Sequence, residues 1–403
     1  MIMPTASELI RHHHAHPLDF ESVREVPDSH AWPDLHDHPT ASAQGAVVPV
    51  IDLSATATNV LEQLAQACES WGAFQVTGHG VPPGLLRRVE AAARGLFALP
   101  TNRKLEAART ADGVSGYGRA RISCFFPKLM WSEGFTIAGS PVDHARTLWP
   151  DDDALAFWYV YDARVPTPRV LDHLPRPSKA AEKPCCDTTC SDVIEEYKEG
   201  MKQLARKLMR MMLMSLGLTE AEAEAEAETG WIGPGDEAGG MSAVLQLNSY
   251  PVCPDPDRAM GMAAHTDSTL LTLLFQSNTS GLQVLQVVGD TGRDRTARWV
   301  TVPPMPGALI VNVGDLFQIL SNGRYRSVIH RAVVNRTSHR VSVAYMCGPP
   351  AASKVEPIVK LVGPGRGPVY RPVTWPEYLS VKGKLFDKAL ASVMRTEVSL
   401  EHI

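Results

Sequence analysis

The sequence has no excess of positive charge. Its 39 Lys and Arg stand against 44 Asp and Glu, a net charge of −5, so there is no basic field to hold nucleic acid phosphates. It also lacks any apolar run near the roughly eighteen residues of a membrane-spanning helix. The start, Met-Ile-Met-Pro-Thr-Ala-Ser, contains no apolar segment of a secretory signal. The seven cysteines (68, 124, 185, 186, 190, 253 and 347) are odd in number and scattered. These absences together lead us to expect a reducing, cytoplasmic protein without structural disulfides, membrane anchor or nucleic acid partner; a monomer is taken as the starting assumption. A hydrophobic content of 44% is ample for a core.

Against this background, His265-Thr266-Asp267 and the later His330 carry the most chemical information. Two imidazoles and one carboxylate are the ligand set of a facial triad, which holds mononuclear Fe(II) and leaves positions open for small ligands. The run through 245–251 and 262–267 has no helical period. On extended chain His265 and Asp267 therefore point the same way. His330 lies in Ser-Val-Ile-His-Arg-Ala-Val-Val, an apolar, β-branched run that reads as strand. In a chain with 14 His and 44 acidic residues, one His-x-Asp pair alone says little. Arg340-Val341-Ser342 adds weight, because on a strand Arg340 and Ser342 share a face. A guanidinium fork matches a carboxylate in bidentate fashion, and Tyr250 can add a phenol. A diacid whose other end chelates the metal suits this set, and 2-oxoglutarate is such a molecule.

Asn248-Ser249-Tyr250-Pro251, His265-Thr266-Asp267, His330 and Arg340-Val341-Ser342 together resemble the signature of plant 2-oxoglutarate/Fe(II) dioxygenases. Val48-Pro49-Val50-Ile51-Asp52-Leu53 and Trp71-Gly72-Ala73-Phe74 through Gly78-His79-Gly80 resemble that superfamily's first strands. Lys128-Leu129-Met130-Trp131-Ser132-Glu133-Gly134-Phe135-Thr136, Ala263-Ala264-His265 through Thr272, and Val26-Pro27-Asp28-Ser29-His30-Ala31-Trp32 resemble, more narrowly, gibberellin 3-beta-dioxygenases. The likeness covers about residues 18–155 and 192–392.

The resemblance implies a mainly β fold with flanking α, a double-stranded β-helix (jelly roll) core with N-terminal and C-terminal helices. It implies Fe(II) on His265, Asp267 and His330, with 2-oxoglutarate on Arg340 and Ser342, joined by Tyr250, and Asn248 orienting the site. O2 would be the second co-substrate, with ascorbate supporting activity. The substrate would be a tetracyclic diterpenoid acid, hydroxylated at the 3-beta position to give a bioactive gibberellin. The alternatives are oxidation at a neighbouring ring carbon and 2,3-desaturation. Tyr117, Ile122, Phe126, Met130 and Trp131 are candidate pocket walls, and Arg119 and Arg121 candidate partners of the substrate carboxylate. Ordinary core packing and solvated arginine explain these residues equally well. A non-catalytic jelly-roll binding protein would be free to lose a ligand, and all three are present. A zinc or manganese cupin would leave Arg340 and Ser342 without a purpose. Gln318 stands where the family has His.

Along the chain, 1–46 reads as a flexible leader and 47–155 as an N-terminal dioxygenase region. Residues 157–190, rich in Pro and with Cys185, Cys186 and Cys190, depart from the family. Their composition suggests a disordered insertion or a translated intron. Residues 191–242 read as a long helix and a surface segment, 243–350 as the jelly-roll core and 351–403 as a helical closure. Helices are expected over 55–70 behind a Ser54 cap, over 82–99 and over 193–216. The Met-rich face of the last, with Met201, Met209 and Met212, suggests core packing. His79 and Asp315 read as turn residues.

Overall fold

The computed structural model describes residues 18–20, 22–33, 35, 47–110, 113–139, 141, 190–226, 242–288, 296–363 and 367–395. Most of the expected leader lies outside these residues. So does the Pro/Cys segment 157–190, save for its last residue, which opens a helix.

The chain begins with β1 (Val50–Asp52), α1 (Ala57–Ser70), β2 (Ala73–Thr77) and α2 (Pro83–Phe97). In α1 the buried residues Val60, Leu64, Ala67 and Cys68 recur at helical spacing, which commits one stripe to the core. Ser54 does not cap this helix. Its hydroxyl bonds Asp52 Oδ1 at 2.7 Å, and the helix begins behind Thr56, which makes no side-chain cap. β3 (Gly116–Gly118), β4 (Glu133–Ala138) and α3 (Cys190–Ser215) follow. Met201, Met209 and Met212 of α3 are fully buried, as the sequence leads one to expect.

The remaining strands are β5 (Ser242–Tyr250), β6 (Met260–His265), β7 (Leu271–Gln276), β8 (Leu282–Val288), β9 (Thr296–Thr301) and β10 (Leu309–Val313). The short helix α4 (Asp315–Leu320) separates these from β11 (His330–Val333) and β12 (Arg340–Gly348), and α5 (Trp375–Leu385) comes near the end.

These twelve strands form two facing sheets, beside a small third one that pairs Lys354–Val355 with Val373–Thr374. The larger has eight strands in the order β1-β2-β10-β7-β12-β5-β4-β3, and the smaller four in the order β6-β11-β8-β9. Every pairing is antiparallel except β1 with β2. Strand alternation divides the large sheet's side chains. In β12, Val341, Val343, Tyr345 and Cys347 join the core that α1, α2 and α3 cover. Arg340, Ser342, Ala344 and Met346 alternate with them and face the cavity between the sheets. Leu274, Val284, Val300, Ile310 and Ala344 pack between the two sheets. Each fully buried Leu or Ile contributes about 1.5–3 kcal/mol. Slipping β12 by one residue would bury Arg340 among the helices and aim Val341 at the cavity. The apolar set therefore fixes the register that presents the polar one. The arrangement is a double-stranded β-helix.

Candidate active site

His265 closes β6 and His330 opens β11, and the two residues are direct cross-strand partners. Their rings lie 4.2 Å apart between centroids. Asp267 Oδ1 is 3.7 Å from His265 Nε2 and 3.8 Å from His330 Nε2. These spacings are too long for hydrogen bonds and suit three donors around one ion. All three ligand atoms lie within 4.8 Å of one another, the one such cluster among the described residues. Each imidazole is oriented through its other nitrogen. His265 Nδ1 meets the Ala263 carbonyl at 2.8 Å, and His330 Nδ1 the Val328 carbonyl at 3.3 Å. Donation from Nδ1 leaves Nε2 as the metal donor. Burial, with the neighbouring His330, lowers the His265 pKa to about 4, so its ring is neutral near pH 7. Burial alone would raise the Asp267 carboxyl, but the imidazoles beside it, the Thr272 hydroxyl and Lys382 outweigh burial and leave it below the usual carboxylate value. Asp267 Oδ2 is buried with no hydrogen-bond partner.

The second polar cluster lies on β12 and β5. Arg340 pairs across the strands with Tyr250, and Ser342 with Asn248. The Arg340 guanidinium carbon sits 4.9 Å from the centre of the Tyr250 ring. Nη2 donates to Gln276 Oε1 at 3.0 Å. Arg340 is 2% exposed, yet its Nε and Nη1 have no partner, and neither has Ser342 Oγ. Leaving such donors buried and unmet is costly, more so for a charged group. The donor set is that of a carboxylate site, in the same cavity as the triad. The residues thus fit both groups: a divalent ion on two imidazoles and a carboxylate, and a diacid held at its far end by Arg340 and Ser342.

The cavity measures about 1260 Å³. Of the residues singled out as substrate walls, Ile122 lines it. Tyr117 turns instead into the helix-side core, where its hydroxyl donates to Glu133 Oε2 at 2.6 Å. Trp131 is fully buried with its ring 5.2 Å from that of Phe20. Met130 packs with Leu35, Met260 and Ala263. Phe126 stands behind the wall, edge-on to Phe386 at 5.4 Å and near Trp32. Phe125 does reach the cavity and stacks on Phe386 at 4.6 Å. Arg121 lines the cavity and Arg119 does not.

Gln318 also lies off the wall. It donates to the Tyr370 hydroxyl at 2.9 Å and accepts from the Ser327 backbone at 2.7 Å. His79 is structural, bonding the Gly307 carbonyl and the Val81 backbone. Sequence reading missed Gln276 and Thr272. Both are polar interruptions at even spacing in the apolar run of β7, a signal that they face the site. It also missed Lys382 of α5, which lies on the cavity wall.

Comparisons with known proteins agree with this geometry. Residues 241–349 match the family model of the 2OG-Fe(II) oxygenase superfamily, and 48–153 that of the non-haem dioxygenase in morphine synthesis N-terminal region. Gibberellin 3-beta-dioxygenase 1 of Arabidopsis thaliana is 48% identical over 386 residues, covering 94% of each chain. Its namesake from Pisum sativum is 46% identical, over 97% of this chain and 94% of the relative. Among solved structures, JOX2 in complex with 2OG, Fe and JA superposes with a TM-score of 0.69 at 27% identity, covering 96% of this chain and 97% of that one. The rice dioxygenase for auxin oxidation gives 0.61 at 27% identity, covering 86% and 100%. The fold, the His-Asp-His cluster and these relatives together place the chain in the gibberellin 3-beta-dioxygenase family of the 2-oxoglutarate- and Fe(II)-dependent oxygenases.

Proposed function

We propose that this enzyme hydroxylates gibberellins at the 3-beta position, using His265, Asp267 and His330 for Fe(II) and Arg340 with Ser342 for 2-oxoglutarate. The observation that carries the reading is the juxtaposition of the triad with unmet carboxylate donors in one cavity. The substrate comes from the relatives, named as gibberellin 3-beta-dioxygenases at 41–48% identity. Bound iron and 2-oxoglutarate supply the oxidising power, consuming O2 and yielding succinate, CO2 and an alcohol.

The chain's own residues orient and exclude. His265, neutral because buried, offers a lone pair without first losing a proton. Arg340 aims the diacid, and Tyr250 packs its ring against that fork. Asn248 accepts from Gln246 at 3.1 Å, which fixes its amide beside Ser342. Ile122, Phe125, Leu274 and Phe386 give the apolar wall that a diterpenoid skeleton needs, and Arg121 takes the substrate's carboxylate at the rim. A shift of about one ångström in that pose changes which C–H reacts. No protein base is required. The same reading makes the enzyme a cytoplasmic monomer acting on a small acid. Among the described residues no helix is long and apolar enough to cross a membrane.

The test is mass spectrometry of products from purified protein given Fe(II), 2-oxoglutarate, ascorbate and a 3-deoxy gibberellin. A 3-beta-hydroxylated product is expected. Oxidation at another ring carbon would keep the site and overturn the regiochemistry. Absence of both product and succinate would overturn the reading.

A further inference from the structure

Asp315 is fully buried at the start of α4, just after β10. One of its oxygens, Oδ2, accepts three hydrogen bonds: from Lys382 Nζ at 2.6 Å, from the Tyr378 hydroxyl at 2.8 Å and from the Thr266 hydroxyl at 3.1 Å. Lys382 also donates to the Thr266 hydroxyl. Lys382 and Tyr378 both belong to α5, so this carboxylate joins the C-terminal helix to the residue between two metal ligands.

The backbone repeats the connection. Asp315 N–H donates to the Asp267 carbonyl at 2.8 Å and Leu316 N–H to the Thr269 carbonyl at 3.0 Å. Trp375 of α5 donates its indole N–H to the Ser268 carbonyl at 2.6 Å. A methyl group on Gly314 would come within 2.1 Å of the Thr269 carbonyl oxygen, so the two backbones are in direct contact. Residues 266–269, which follow β6 and include Asp267, are thus held by both α4 and α5.

We propose that Asp315 and Lys382 are positioning residues for the metal ligand Asp267, so that iron affinity depends on how the C-terminal helix is docked. The pair fixes the Thr266 side chain while the Asp315 backbone N–H fixes the carbonyl of Asp267, and together they place the carboxylate that must meet both imidazoles. A buried ion pair is a poor source of net stability but a strict one of geometry: removing one partner strands the other. Partners that orient metal ligands typically contribute 10–100-fold to metal affinity. Coupling of this kind is reciprocal, so the metal must in turn strengthen the docking of α5 by the same factor.

The inference rests on the triad being a metal site, and Co(II), which takes the same nitrogen and oxygen donors, tests the two separately. Anaerobic titration of the full-length protein followed by visible absorption gives the affinity without turnover. No Co(II) binding by the wild type would overturn the metal reading itself. Lys382→Met and Asp315→Asn are expected to weaken binding about 10–100-fold, and the double variant to lose no more than the larger of the two single losses, since both act through one contact. Hydrogen exchange over 375–385 should slow when Co(II) binds the wild type and respond less in Lys382→Met. Affinities within about twofold of wild type in folded single variants, or a fully additive double variant, would overturn the proposal. Should those variants fail to fold, Tyr378→Phe keeps the ring and removes one donor from the same oxygen. Weakening there supports the proposal, and unchanged affinity overturns it.

Discussion

Replacing Gly281 by alanine puts a methyl group against the stem of Arg340. The new carbon would lie 2.7 Å from Arg340 Cδ, 3.2 Å from Nε and 2.8 Å from the carbonyl oxygen of Val333. Gly281 does not use the left-handed backbone region, so alanine can adopt its conformation and the cost is steric. Ordinary contact begins at 3.4 Å, so something must move by about 0.7 Å. Val333 is tied by its own N–H to the Gly281 carbonyl at 2.8 Å and resists. Arg340 therefore yields, and its fork loses alignment with the carboxylate it receives. Overpacking of this kind costs about 1–3 kcal/mol. If about 1.4 kcal/mol of it falls on 2-oxoglutarate binding, affinity drops about tenfold. Calorimetric titration of 2-oxoglutarate into Co(II)-loaded protein measures this without turnover, and the KM from succinate formation should follow. Gly118→Ala, where a methyl meets nothing within 4 Å, is the control and should match wild type. A Gly281→Ala protein that binds 2-oxoglutarate within about twofold of the control would refute the packing argument.

Other changes give equally definite expectations. Arg340→Lys replaces a fork by a point charge and should raise the 2-oxoglutarate KM at least about tenfold with a smaller effect on kcat; equal KM values would remove Arg340 from the site. Asp267→Ala should abolish succinate formation, and residual iron-dependent turnover would contradict the triad. Arg121→Met should raise the KM for the gibberellin while leaving that for 2-oxoglutarate alone, and a KM unchanged for both would exclude the proposed anchor. His30 lies against Trp131, and burial, reinforced by the charge of Arg119, lowers its pKa to about 4. The unfolded residue titrates near 6.5, so between these values the unfolded chain holds the extra proton. Stability should therefore fall as the pH drops from about 6.5 towards 4. Urea midpoints at about pH 7.5 and 5 should converge in His30→Gln, and an undiminished difference would show that other groups dominate.

The placing of His265 beside Asp267, and of Arg340 beside Ser342, was legible because a strand repeats every two residues. His265 with Asp267, and Arg340 with Ser342, needed only extended backbone to share a face, and the apolar residues between them supplied it. Strand positions were equally readable, since Arg340–Met346 and Leu282–Val288 are short apolar runs that the structure returns with small changes at their ends. Pocket walls were another matter. Tyr117 and Trp131 sit in motifs shared with the family, but a motif does not say which side of a sheet an aromatic ring takes. Tyr117 follows Glu133 into the helix-side core, and Trp131 is claimed by Phe20 and His30. The Asp315–Lys382 pair was invisible for a different reason: its partners are 67 residues apart, and no local pattern joins them.

The strand order has a consequence for how the protein is made. β2 is hydrogen-bonded to β10, whose residues follow it by about 230 positions. At the usual 5–20 residues per second, β2 waits on the ribosome for roughly ten to fifty seconds before its partner emerges. Until then the edge that β10 will cover is unpaired, an invitation to wrong association that α1 and α2 alone do not remove. From residue 77 until residue 309 is made, β1 and β2 therefore stand apart from the rest of the large sheet, which β10 alone joins to them.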